Sequence, residues 1–313
     1  MNEITVLAPA TVANVVCGFD VLGFCLEEPC DLMTLRTIDE KTVRIINRDE
    51  FNLPTEPEKN VAGAVLLAIL KEIKADFGFE IEIEKRIKPG SGIGSSAASA
   101  AGAAVAANKL LNGHFSKQEL VYFAMFGEEI ASAARHADNL APAIFGGFTL
   151  VRSVDPLDIV EIDFPPLFAT VLHPQIEIKT AEARRILPRE VPLKSAINQW
   201  ANVGALVAGL FKKDYGLIAR SLEDKIVEPV RSRLIPNFDE IKSQSIQSGA
   251  LGGGISGSGP SVFMLSETEE SARNVEMKMQ RIYQNADINF YTYVTKINAE
   301  GVKILEKSKQ IKR

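Results

Sequence analysis

Between residues 77 and 111 the chain sets three kinds of sequence end to end, and few folds accept that order. FGFEIEIEKRI (77–87) alternates apolar and charged residues with period two, the mark of a half-buried strand. PGSGIGSSAAS (89–99) follows, with Gly90, Gly92 and Gly94 free to pass through positive φ and approach a ligand closely. From about Ser95 to Leu111 the pattern is a helix, closed by Asn112-Gly113. Alanines at 97, 98, 100, 101, 103 and 104 suit a helix packed close against its neighbours. A glycine loop feeding a helix N-terminus offers unpaired N–H groups and a partial positive charge, which together attract anions. Ser95 and Ser96 stand at the helix start, where a hydroxyl caps the helix or meets a phosphate or Mg²⁺. The loop is not a Walker A motif, because no lysine follows Gly94, and GxGxG is not the GxGxxG of a dinucleotide site. From the loop alone, a phosphate cradle and a plain strand-to-helix turn both stand open.

The flanking sequence supplies more elements. EITVLAPAT (3–11) predicts an opening strand. Ser116-x-x-Glu119 is a capping box that starts a helix reaching about His136. Pro142 is expected to stop helical structure there, and IFGGFTLVRSV (144–154) returns to strand character. Pro156, Pro165 and Pro166 mark a seam, dividing the chain into domains at 1–160 and 161–313. Beyond the seam FATVLHP and IEIKT read as strands, and TAEARRIL as a short helix stopped by Pro188. Helical patterns follow at about 193–212, 214–225 and 236–247, then a strand-glycine segment at 249–260. VFMLS, a helix near 267–284 and NFYTYVTKI end the series. Strands and helices mix in both halves, so the fold class is α+β or α/β.

Bulk properties exclude several functions. A net charge of -5 over 313 residues speaks against a broad nucleic-acid surface. No apolar run approaches the roughly 18 residues a membrane span needs, and VAGAVLLAIL (61–70) runs into Lys71 and Glu72. The N-terminus lacks the pattern of a signal peptide. Cys17, Cys25 and Cys30 are clustered and odd in number, which suits reduced thiols of the cytoplasm better than a disulfide framework. With only His114, His136 and His173 to join them, a zinc site is not expected.

Two further glycine-bearing segments bear on the loop. PATVANVVCGFDVLG (9–23) sets Asn14 and Asp20 among small and apolar residues, and GGGISGSGPSV (252–262) precedes an apolar strand. In this order the three segments resemble the superfamily of galactokinase, homoserine kinase, mevalonate kinase and phosphomevalonate kinase, the GHMP kinases. PGSGIGSSAAS is similar to that family's PxxxGLGSSAA loop, with Ile93 for leucine, and GGGISGSGPS to its C-terminal motif. Within the superfamily the likeness is to the homoserine kinase family. It is carried by PAT-x-AN…GFD-x-LG from Pro9 to Gly23, RHADNLAPAIFGGF (135–148), TAEARRILP (180–188) and EPVRSRLIPNF (228–238). The likeness departs at Val12 and at Val15-Val16-Cys17, within the variable centre of the first motif.

The resemblance implies an α+β, two-domain fold, with a ribosomal-protein-S5-like N-terminal domain and a ferredoxin-like C-terminal domain. It implies phosphorylation of the side-chain hydroxyl of L-homoserine by ATP with Mg²⁺, a step towards threonine. Nucleotide contacts would come from Pro89, Gly90, Ser91, Gly92, Ile93, Gly94, Ser95 and Ser96. Metal contacts would come from a loop serine, Ser95 or Ser96 with Ser96 preferred, and from Glu128. On the helix from 116, Leu120, Ala124, Glu128 and Ser132 recur every fourth residue, so Glu128 continues a face that begins apolar. Its alternative role is a helix salt bridge. Substrate contacts would come from Asn14, Asp20, His136, Asn139, Arg184 and Arg231, with Asn14, Glu128 and Arg184 as the catalytic set. Arginine forks suit an α-carboxylate, and Asp20, Asn14 and Asn139 suit an ammonium. The choice between Arg184 and Arg185, or Arg231 and Arg233, stays open, as does solvated charge at each. No general base is assigned, and Asp138 in HADN is a candidate left aside. A homodimer is left open. Another kinase of the superfamily, or a non-catalytic relative that keeps the fold, are the alternatives.

Overall fold

The computed structural model describes residues 2–132 and 135–305. In chain order it begins β1 (Glu3–Ala13), β2 (Leu22–Ile38), β3 (Val43–Asn47), α1 (Val61–Glu72) and β4 (Gly78–Glu84). It continues α2 (Ser95–Leu110), α3 (Lys117–Ser132), α4 (Leu140–Phe145), β5 (Phe148–Val154) and β6 (Leu157–Ile162). The rest is β7 (Phe168–Pro174), α5 (Thr180–Arg185), α6 (Leu193–Lys212), α7 (Tyr215–Ser221), α8 (Glu228–Arg231), α9 (Phe238–Gln247), β8 (Gly252–Ile255), β9 (Val262–Ser266), α10 (Glu269–Gln284), β10 (Phe290–Lys296) and β11 (Lys303–Leu305).

The first sheet runs β11-β1-β2-β4-β3, with β5 on the other end of β2 and β6 beyond it. Among the described residues only β3 and β4 pair in parallel; α1 lies between them in the chain. β2 reaches 17 residues because it changes partners along its length. Its register with β1 breaks between Cys25 and Cys30, and Pro29 falls in that break, where no ladder N–H is missed. On this sheet α2 is packed against β1, β2, α1, α3 and α4. Its alanines permit the approach: even at Gly102 a Cβ would lie 2.9 Å from that of Ala8.

The second sheet has the order β10-β7-β9-β8 and is antiparallel throughout. Taken in chain order from β7, that is 4-1-3-2, the ferredoxin-like split arrangement. α9 and α10 pack on it around Ile241, Val275, Met279 and Tyr283. The two sheets share the larger apolar core, where Phe24 of β2 meets Phe148 at 4.9 Å and Phe263 of β9 at 5.4 Å.

Several expectations need correction. Pro142 does not stop a helix; it is the third residue of α4, where its absent N–H falls in a first turn that lacks intrahelical partners anyway. Gly146-Gly147, both at positive φ, separate α4 from β5. IEIKT forms no strand; the chain has left the sheet by Gln175 and runs to the start of α5. The capping box holds, with Ser116 N–H donating to Glu119 at 2.8 Å and Glu119 N–H donating to the Ser116 hydroxyl at 3.3 Å. Its helix is described to Ser132, residues 133–134 lie outside the described residues, and 135–137 are not helical.

Candidate active site

A cleft of about 420 Å³ lies where the β1–β2 loop, the 89–96 loop, the 136–139 segment, α5, α8 and the 256–259 loop converge. The glycine loop forms one wall. Gly90, Gly92 and Gly94 all have positive φ (74°, 82° and 69°) and all line the cleft. The residues between them turn inward: Ser91 and Ile93 are buried and do not line the cleft. Their carbonyls serve the fold, accepting from Ser261 Oγ at 2.6 Å and Thr11 N–H at 3.2 Å. Pro89 remains in the wall.

Neither serine caps α2. Ser95 Oγ donates inward to the Ile87 carbonyl at 2.8 Å, which favours Ser96 between the two candidates. Ser96 Oγ donates to Glu128 Oε2 at 3.0 Å. The helix start thus faces the cleft with its N–H groups available and a carboxylate from α3 beside it. Behind this turn lies a pair invisible to a motif search. Lys85, 6% exposed, donates to the carboxylate of Asp31, to the Ser95 carbonyl at 2.9 Å and to Ser99 Oγ at 3.0 Å. Asp31 is fully buried and also accepts from the N–H groups of Arg86 and Ile87 at 2.7 and 2.9 Å.

The opposite wall gathers the predicted substrate residues. Asp20 and Arg184 do not stand apart, as a division into ammonium and carboxylate grips had implied, but pair through three contacts of 2.8 to 3.1 Å. Both side chains are partly exposed, so this ion pair contributes only about 0–1 kcal/mol and is readily exchanged. Arg231 is buried, its Nε and Nη1 donating to the carbonyls of Ala183 and Gly257 at 3.0 and 3.1 Å. Phe19 lies under both guanidiniums, 5.4 Å from Arg184 and 5.1 Å from Arg231. Arg184 and Arg231, and neither Arg185 nor Arg233, line the cleft.

Asn14 has φ 72° and a buried amide that donates to the Gly257 carbonyl at 2.7 Å and accepts from Asp20 N–H at 3.0 Å. Its side chain therefore holds two walls together. Val15 and Val16 follow at φ 41° and 62°, where a β-branched residue costs about 1 kcal/mol or more. Asn139 accepts from Thr11 Oγ1 at 2.8 Å and lines the cleft with His136, which burial holds below the usual histidine range. Asp138 is a wall residue too, its carboxyl pushed up to about 7 by burial first, then by Asp20 and Glu128. Leu53, Pro54, Lys59, Asn60 and Val61 complete the cleft wall, a contribution the sequence did not flag. Asn60 is placed by capping α1, its Oδ1 accepting from Ala62 and Gly63 N–H at 2.9 and 3.2 Å.

The fold and this cleft define a class, and comparison with known proteins agrees. The GHMP kinase N-terminal domain matches residues 60–147 and the GHMP kinase C-terminal domain residues 206–285. The chain belongs to the GHMP kinases, and within them to the homoserine kinase family. It is 46% identical over 319 residues to the homoserine kinase of Chloroherpeton thalassium, covering 97% of this chain and all of that one. It is 40% identical to the homoserine kinase of Methanocella arvoryzae over 99% of this chain and all of that one. The crystal structure of homoserine kinase from Cytophaga hutchinsonii superposes with a TM-score of 0.94 at 47% identity, covering 97% of this chain and 98% of that chain. The chain is therefore an enzyme of the kinase class.

Proposed function

We propose that the cleft binds MgATP and L-homoserine side by side and transfers the γ-phosphoryl group to the side-chain hydroxyl. One observation carries this reading: the Ser96–Glu128 contact at the start of α2 and the Asp20–Arg184–Arg231 group line a single cleft. Phosphoryl transfer depends chiefly on positioning and on neutralising phosphate charge. The glycine loop and first turn of α2 hold the phosphates through backbone N–H groups, which is why no Walker lysine is required. The apolar stretch of Leu53, Pro54, Val61 and Ile83 suits a purine ring.

Ser96 and Glu128 are an all-oxygen pair, the donor set a hard cation takes, and they would hold Mg²⁺ together with phosphate oxygens and water. When bound, the ion offsets the charge of the phosphates. At the other wall a zwitterion replaces the exposed Asp20–Arg184 pair with two of its own, ammonium to Asp20 and carboxylate to the arginines. Mevalonate, lacking an ammonium, would leave Asp20 unmatched. Free Cys17, Cys25 and Cys30 suit the reducing cytoplasm, and the product is placed on the route to threonine.

A coupled ADP-release assay with homoserine, mevalonate and galactose tests the reading. Turnover with homoserine is expected. Turnover with mevalonate but not homoserine would overturn the substrate, and no turnover with any would overturn the kinase site.

A further inference from the structure

Asp20 lies on the β1–β2 loop and Arg231 on α8, far apart in sequence, and one side chain on α6 bonds both the Asp20 loop and the segment leading into α8. Gln199 Nε2 donates to the Cys17 carbonyl at 2.8 Å, in the loop that carries Asp20. Its Oε1 accepts from Lys225 N–H at 2.9 Å, in the segment that leads into α8 and Arg231. One turn further, Asn202 Nδ2 donates to the Glu223 carbonyl at 3.0 Å. Asp224 then fixes the α8 end, accepting from the N–H groups of Ile226, Val227 and Glu228 at 2.8 to 2.9 Å.

The partners determine the chemistry at position 199. A carbonyl demands a donor and an N–H demands an acceptor, and a carboxamide of this length supplies both. The loop it holds needs holding. Asn14, Val15 and Val16 are left-handed in succession, and such backbone persists only where its surroundings over-determine it. Gly18 N–H to the Asn14 carbonyl at 2.8 Å and Asp20 N–H to Asn14 Oδ1 at 3.0 Å brace it within the loop. Gln199 ties this loop to the segment that carries the second grip.

We infer that Gln199 is a positioning residue for the amino-acid substrate: it fixes the separation of Asp20 from Arg231 without touching the ligand. The inference rests on the reading of these two groups as the grips on homoserine. It belongs to the substrate wall, because the Gln199 hydrogen bonds run to the loop of Asp20 and to the segment before α8, and its side chain does not line the cleft.

Steady-state kinetics of Gln199→Glu and Gln199→Met test it beside Arg231→Leu. Gln199→Glu keeps the acceptor for Lys225 but sets a carboxylate oxygen against the Cys17 carbonyl, whereas Gln199→Met removes both bonds without adding charge. The homoserine KM should rise about tenfold in each, the scale of one or two lost hydrogen bonds, with the ATP KM within about twofold of the parent. Parallel rises in both KM values would show general loosening and overturn the inference. An unchanged homoserine KM in Gln199→Met would overturn it too, and if Arg231→Leu still raised that KM the reading of the grips would survive. An unchanged homoserine KM in Arg231→Leu would remove the grips themselves, and the inference with them. Should Gln199→Glu not fold, Gln199→Met carries the same comparison.

Discussion

Asp138 has its carboxyl buried between Asp20 and Glu128, and burial with those like charges pushes it up to about 7 from an ordinary 3.8. A native state that binds this proton more tightly than the unfolded chain is stabilised by it. That contribution is fully present below 3.8 and is lost as pH rises through about 7. Thermal melting should therefore show stability declining between about pH 4 and pH 7, and Asp138→Asn should remove that decline. The substitution should raise Tm more at the upper pH than at the lower; equal shifts at the two would show that Asp138 does not titrate in this window. Glu128 calls for a kinetic measurement. Glu128→Gln keeps the shape and loses the charge beside Ser96, and kcat should fall about 10²-fold or more with a raised Mg²⁺ requirement. An unchanged Mg²⁺ titration would return Glu128 to a helix-surface role.

α2 depends on a neighbour that sequence pattern cannot show. Its first turn is held from behind by Lys85, bonded at once to Asp31, the Ser95 carbonyl and Ser99. Lys85→Met would leave Asp31 buried and uncompensated, a loss of about 3–5 kcal/mol. Chemical denaturation should show it in the midpoint, and the ATP KM should rise as the turn loosens; a midpoint within experimental error of the parent would refute it. The helix itself was legible, because alanines, a glycine loop and Asn112-Gly113 are local signals, and so was the Ser116–Glu119 box. The pair behind it was not, since Asp31 and Lys85 lie 54 residues apart and each alone reads as a strand charge. Likewise Pro142 read as a stop because its place within a helix sets its cost, and in a first turn that cost vanishes. Along 89–96 the glycines, Pro89, Ser95 and Ser96 line the cleft and Ser91 and Ile93 do not, for a backbone reason. Positive φ at alternate residues exposes the glycines and turns the side chains between them into the core. Ser96, Glu128, Asp20, Arg184 and Arg231, which the resemblance named together, all line the one cleft.

Over the whole molecule, the two sheets share a core, and the two glycine motifs meet across the cleft. Ser256 Oγ donates to the Gly92 carbonyl at 2.7 Å and Ser261 Oγ to that of Ser91 at 2.6 Å. The C-terminal motif thus clasps the 89–96 loop, and if that loop holds the phosphates as proposed, nucleotide affinity should depend on how closely the two halves approach. Gly90 and Gly92 separate this effect from local backbone strain. Both are left-handed, at φ 74° and 82°, so alanine at either costs about 1–2 kcal/mol in conformation. A Cβ at Gly90 meets nothing within 4 Å, whereas one at Gly92 would lie 2.5 Å from the Gly259 carbonyl oxygen and force the motifs apart. A ligand at 100 times its Kd stabilises a protein by about 2.7 kcal/mol, so the Tm rise on adding ATP reports that affinity. The rise should survive largely intact in Gly90→Ala and shrink sharply in Gly92→Ala, with a KM for ATP at least about tenfold higher in the second. Equal losses in the two variants would mean that the loop binds nucleotide on its own and that the clasp contributes only to folding.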